Sequence, residues 1–130
     1  MNYTMTICMG EQLPKISNPT QDKIERAIDN LIPPNDHFII LCSEENVKNS
    51  SFIQTTMEAN DSGESRYLLE IQFCYDKEYK QYAIYMKKID KVKEIFLSYT
   101  SGILPDITGW NDITKKIFPT QKKKDRKKKL

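Results

Sequence analysis

Asp36 and His37 have the residue types of a general base and its orienting carboxylate, and Cys42 and Ser43 follow closely as candidate nucleophiles. Successive residues of a strand point to opposite faces, so the pair is expected to be held apart. Neither Cys42 nor Ser43 sits in the glycine-flanked sharp turn of a nucleophile elbow. The cysteines, Cys8, Cys42 and Cys74, are far apart in sequence and lack metal-ligand spacing. Each lies in an apolar or strand-like stretch, which fits a small buried thiol in a reducing compartment. Gly10, Gly63, Gly102 and Gly109 are isolated, so no glycine-rich phosphate loop is present. The expectation is a protein that is not an enzyme, with no catalytic residues, cofactor or metal.

The residues suited to binding are more numerous. Carboxylates gather in loops and turns: Glu44 and Glu45; Glu58, Asp61 and Glu64; Asp76 and Glu78. Several of them, brought to one edge or end of a sheet, would form a rim that steers a basic partner, although ordinary solvation of loops accounts for the same residues. Glu70 and Gln72 on one strand, with Gln81 and Tyr85 on its neighbour and Tyr79 extending the patch, are expected to share a sheet face. Tyrosines supply contact area at small entropic cost and amides supply directional hydrogen bonds, a mixture suited to protein recognition. A solvated outer face is the plainer account of the same residues. One strand carboxylate without a placed second is not an acid/base pair.

The formal charge of +2 hides a division. Residues 121–130 hold seven of the 20 Lys+Arg and one of the 18 Asp+Glu, which leaves 13 basic against 17 acidic residues in 1–120. The body is therefore net −4 and the tail net +6. Lys122, Lys123, Lys124, Arg126, Lys127, Lys128 and Lys129 would bind phosphate chains without sequence preference and with strong salt dependence. A solvated terminus is the alternative, since no aromatic is interleaved among them.

These residues need elements to position them. A chain of 130 residues suits one domain, here 1–120, with 121–130 as a basic tail. The longest strictly apolar run, Phe38 to Cys42, is too short to cross a bilayer, and the first ten residues lack the pattern of a secretory signal, so a cytoplasmic location is expected. Alternation predicts strands at Tyr3–Met9, Arg66–Tyr75 and Lys80–Lys88, a short, continuous, isoleucine-rich run predicts one at His37–Cys42, and Phe52–Glu58 reads as the next. Gly10 to Asn18 reads as a loop, Glu44 to Ser51 as a polar connection, Asn60 to Gly63 as a hairpin turn and Asp76 to Glu78 as a charged turn. A first helix opens at Asn18-Pro19, with Asn18 as cap and Gln21 reaching back. It carries Ile24, Ala27, Ile28 and Leu31 on one stripe and stops before Pro33-Pro34. Asp90 is placed to cap a second, whose Val92, Ile95, Phe96 and Tyr99 recur at i, i+3, i+4 and i+7, with Gly102 ending it and Trp110 closing the core. The expected fold is α+β and two-layer: an antiparallel sheet of four to six strands with two helices packed on one face.

Taken in order, Asn18-Pro19-Thr20, Leu31, Phe52-Ile53-Gln54, Tyr67-Leu68-Leu69-Glu70, Gln81-Tyr82, Val92 to Tyr99 with Gly102, and Trp110 give a series that resembles the Imm1-like immunity proteins of bacterial polymorphic toxin systems. The resemblance spans roughly residues 18–114 and rests on diffuse apolar and aromatic positions. It implies a small protein that binds and neutralises a cognate toxin domain by occlusion, often a nucleic-acid-directed enzyme with a basic active site. No catalytic residues carry over. The lysine-rich tail departs from the expected end of such a domain, and the alternative function is nucleic-acid or anionic-surface binding through that tail.

Overall fold

The computed structural model describes residues 2–34 and 36–119. Seven strands form one sheet in the order β2-β1-β3-β4-β5-β6-β7. They are β1 (Tyr3–Met9), β2 (Ile16–Ser17), β3 (His37–Val47), β4 (Ser50–Ala59), β5 (Ser65–Tyr75), β6 (Glu78–Met86) and β7 (Asn111–Asp112). Each neighbouring pair is antiparallel. The helices are α1 (Gln21–Asp29), α2 (Ile89–Thr100) and the single turn α3 (Thr114–Ile117). The α+β class agrees with expectation, whereas seven strands exceed the four to six anticipated. The surplus is β2 and β7, two residues each, too short for any alternation to show.

Register explains the core. Met5, Leu41, Ile53, Ile71 and Tyr82 stand opposite one another across five strands, as do Ile7, Ile39, Thr55, Leu69 and Ile84. This face joins Ile24 and Ile28 of α1, Leu31 just after it, and Val92, Phe96 and Tyr99 of α2 in one buried cluster. Trp110 is half-buried and packs against that cluster. Lys93 of α2 reaches Asp29 of α1 at 2.7 Å, tying the helices together. The hydrogen bond that Lys93 donates to Asp29 holds the ammonium's pKa above its usual range.

Several boundaries depart from the sequence reading. Thr20, not Asn18, caps α1: its side chain accepts the Lys23 N–H. Asn18 instead has φ 46° and accepts the Tyr3 N–H on Oδ1 at 3.0 Å, so it anchors β1. Gln21 bonds forward to Glu25 rather than back to the cap. Lys88, not Asp90, occupies the α2 cap, without a side-chain hydrogen bond. The supposed loop before α1 contains β2. β3 continues past Cys42 to Val47, and Lys48-Asn49, both at positive φ, turn it tightly into β4. Asp76-Lys77 does the same between β5 and β6, with Glu78 already in the strand.

Candidate partner-binding face

The register that buries one face of the sheet sends a second set of side chains the other way. Thr4, Cys42, Phe52, Gln72 and Gln81 form one cross-strand row there, and Thr6, Ile40, Gln54, Glu70 and Ala83 a second. Cys8, Phe38, Thr56, Leu68 and Tyr85 form a third. Glu70, Gln72, Gln81 and Tyr85 therefore share a face as expected, and Tyr79, opposite Cys74, shares it too. The three thiols are partly exposed rather than buried, because all belong to this face and not to the core.

At the centre lies a chain of hydrogen bonds. Ser51 Oγ donates to Gln72 Oε1 at 2.9 Å and Gln72 Nε2 to Gln81 Oε1 at 3.2 Å. Gln81 Nε2 then donates to Glu70 Oε1 at 2.9 Å, while Gln54 Nε2 reaches Glu70 Oε2 at 3.0 Å from the other side. Both oxygens of Glu70 are thus oriented by neutral amides, which fixes the carboxylate in place without neutralising it. Gln81 is only 4% exposed, because the segment after β7 folds over it. The Ile113 N–H donates to the Gln81 carbonyl, and Thr114 Oγ1 accepts the Gln81 N–H. Asp112 in turn accepts from Thr114, and these hydrogen bonds hold its carboxyl below the usual range.

Two clefts flank Glu70. One, of about 310 Å³, runs between β5, β6 and α3, with Leu68, Ala83, Tyr85, Ile113, Lys116 and Ile117 around it. The other, of about 270 Å³, crosses β3, β4 and β5 and is bordered by Phe38, Ile40, Gln54, Thr56, Glu58 and Leu68. Leu68 and Glu70 border both, so the clefts meet. Glu58 accepts from Tyr85 Oη at 3.3 Å and from Arg66 at 3.5 Å, while the Arg66 guanidinium lies 3.6 Å over the Tyr85 ring. At the other end, Tyr79 stacks on Phe118 at 5.2 Å.

The carboxylates gather at two ends of the sheet. Glu58, Asp61 and Glu64 surround the β4–β5 turn, where the Asn60 side chain orders the loop by accepting from Ser62 and Glu64. Glu44 and Glu45 lie on the late part of β3 beside the β3–β4 turn. These turns sit at opposite ends of the ten-residue β4, roughly 30 Å apart at about 3.4 Å per residue. Glu44 is further engaged by the Asn2 amide at 2.9 Å, and Glu64 faces Lys87 at 3.7 Å.

The Asp36–His37 expectation is corrected as well. Asp36 precedes β3, so the alternation rule does not separate the pair, and its Oδ1 lies 2.9 Å from His37 Nδ1. That approach lacks the alignment of a hydrogen bond, since Nδ1 has no such partner among the described residues. The basic stretch Lys122 to Lys129 lies outside the described residues. Among the described residues no helix is long and apolar enough to cross a membrane, and no group of three or more His, Cys, Asp or Glu is gathered to hold a metal ion.

Residues missed from sequence are Phe38, Ile40, Gln54, Thr56, Leu68, Ile113 and Ile117. For those on strands the signal was available: once Glu70 and Gln81 are assigned to one face, pairing assigns their neighbours. Comparison of the chain with family models, curated proteins and solved structures gives no match.

Proposed function

We propose that the protein is a stoichiometric inhibitor, an immunity protein that docks on a cognate toxin domain and occludes it, with the sheet face around Glu70 as the contact surface. In this reading the domain is two-layered, with α1 and α2 backing the core face and leaving the other face for the partner. The supporting observation is a fixed carboxylate set among half-buried apolar side chains: Glu70 is held by Gln54 and Gln81, with Phe38, Ile40 and Leu68 beside it. Interface centres combine buried apolar and aromatic anchors with a few satisfied polar groups. A standard interface needs about 800 Å² from each partner, which a seven-stranded face accommodates. The choice of a toxin as partner rests on the family resemblance and on the net −4 body, which complements a basic active site.

The test is to search the genes beside its own for a toxin and to co-express the two. Growth rescue and a one-to-one complex are expected, and Leu68→Arg should abolish both while the isolated protein keeps its fold. Absence of rescue and of a complex with the unaltered chain would refute the reading. If instead the chain bound arbitrary nucleic acid, with binding lost at high salt and on removal of residues 121–130, the tail-based alternative would be favoured.

A further inference from the structure

The cleft beneath β3, β4 and β5 has features that a generic contact surface does not need. It is bordered by two carboxylates, Glu58 and Glu70, and, among the described residues, by no basic side chain. Arg66 offsets Glu58 from its margin at 3.5 Å, and Lys116 borders only the adjoining cleft. Among the described residues the hydrogen-bond donors to Glu70 are neutral amides, and no ion pair engages it. Thr56, which also borders the cleft, is 7% exposed, and its hydroxyl has no hydrogen-bond partner among the described residues. Buried polar groups are almost always paired, so this hydroxyl, closed to solvent in the cleft wall, would gain a partner if its side chain turned toward an incoming donor. The remaining wall is Phe38, Ile40 and Leu68. At about 270 Å³ the cleft has room for one large side chain.

Resting on the inhibitor reading, we infer that this cleft seats an arginine side chain of the partner protein, its guanidinium on Glu70 and Thr56 and its aliphatic stem along Phe38, Ile40 and Leu68. Arginine fits better than lysine. Its planar fork donates to several acceptors at once, it is weakly hydrated, and it tolerates an aromatic neighbour such as Phe38. A carboxylate pre-oriented by amides receives such a fork without reorganising.

The full chain titrated with N-acetyl-arginine methylamide and followed by NMR tests this without any toxin. Saturable shifts are expected at the Gln54 and Gln81 side-chain amides and at Phe38 and Leu68, with N-acetyl-lysine methylamide weaker and N-acetyl-norleucine methylamide inert. Glu70→Gln should weaken arginine binding about tenfold or more, the loss of one charge-assisted hydrogen bond. Thr56→Val, which removes the unpaired hydroxyl, should weaken it while leaving the fold at least as stable. Shifts that never saturate, that persist undiminished in both variants, or that norleucine reproduces would overturn the assignment. So would a change at the same four residues on deleting 121–130 without probe, which would make the chain's own tail the occupant. Failure of toxin rescue with arginine binding intact would sink the inhibitor reading but not the site.

Discussion

At the scale of single residues, Tyr99 makes the first prediction. Its ring is fully buried, and its hydroxyl pairs with Ser50 Oγ at 3.1 Å. Burial pushes its pKa from 10.0 up to about 12. A raised folded-state pKa means that the folded chain holds this proton more tightly than the unfolded chain. The associated stability is therefore complete below pH 10 and lost as pH rises from 10 to about 12, up to about 2–3 kcal/mol. Tyr99→Phe should cost about 1–2 kcal/mol at neutral pH, because Ser50 loses its partner. It should also flatten part of the alkaline decline, measured as urea midpoints against pH. Tyr3 and Tyr67 are raised by burial too, so the comparison with Tyr99→Phe isolates this group's share. The Asp76-Lys77 turn makes a second prediction. Lys77 has φ 73°, a left-handed conformation costing roughly 1–2 kcal/mol for an L residue with a Cβ. Lys77→Gly relieves that cost against a smaller entropic loss, so thermal unfolding should show a net gain of about 0.5–1 kcal/mol.

At the scale of elements, the contrast between helix caps is directly testable. Thr20 satisfies a first-turn N–H of α1, whereas Lys88 leaves α2 without a side-chain cap and places a cation at the positive end of the helix. Thr20→Ala should cost about 1 kcal/mol and Lys88→Asp should add about the same, read as opposite shifts in denaturant midpoint at constant slope. The same helices show what was legible in the sequence. Ile24, Ile28, Val92, Phe96 and Tyr99 recur at helical spacing because each must reach the same core, and the long strands alternate for the same reason. The caps were misplaced because several residues near a helix start can accept an N–H, and geometry decides among them: Asn18 was taken by β1 before it could serve α1. β2 and β7 were invisible since two residues carry no period. Their role shows only in the folded chain, where β2 hydrogen-bonds to β1 and β7 begins the segment that covers Gln81.

At the scale of the whole molecule, the distribution of charge decides which carboxylates can steer a partner. Sequence placed Glu44, Glu45, Glu58, Asp61 and Glu64 together because all lie near turns, but loop proximity in sequence carries no information about which end of a sheet a turn occupies. Three-dimensional placement separates them by roughly the length of β4, nearly four Debye lengths of about 8 Å at physiological ionic strength. If the partner docks over Glu70 and the adjoining cleft, only the cluster around the β4–β5 turn adjoins the contact, because Glu58 itself borders that cleft. Glu45 and the Asn2-bound Glu44 act from the far end and are screened. Replacing Asp61 and Glu64 by Asn and Gln should therefore lower the association rate with a basic partner several-fold at low salt and flatten its salt dependence, with little change in dissociation. Glu44→Gln with Glu45→Gln should leave both quantities near those of the unaltered chain. Stopped-flow measurements over a range of ionic strength separate the outcomes: equal losses from the two double variants would mean that the partner feels only the total charge of the body, and a loss confined to Glu44 and Glu45 would move the interface to the opposite end of the sheet.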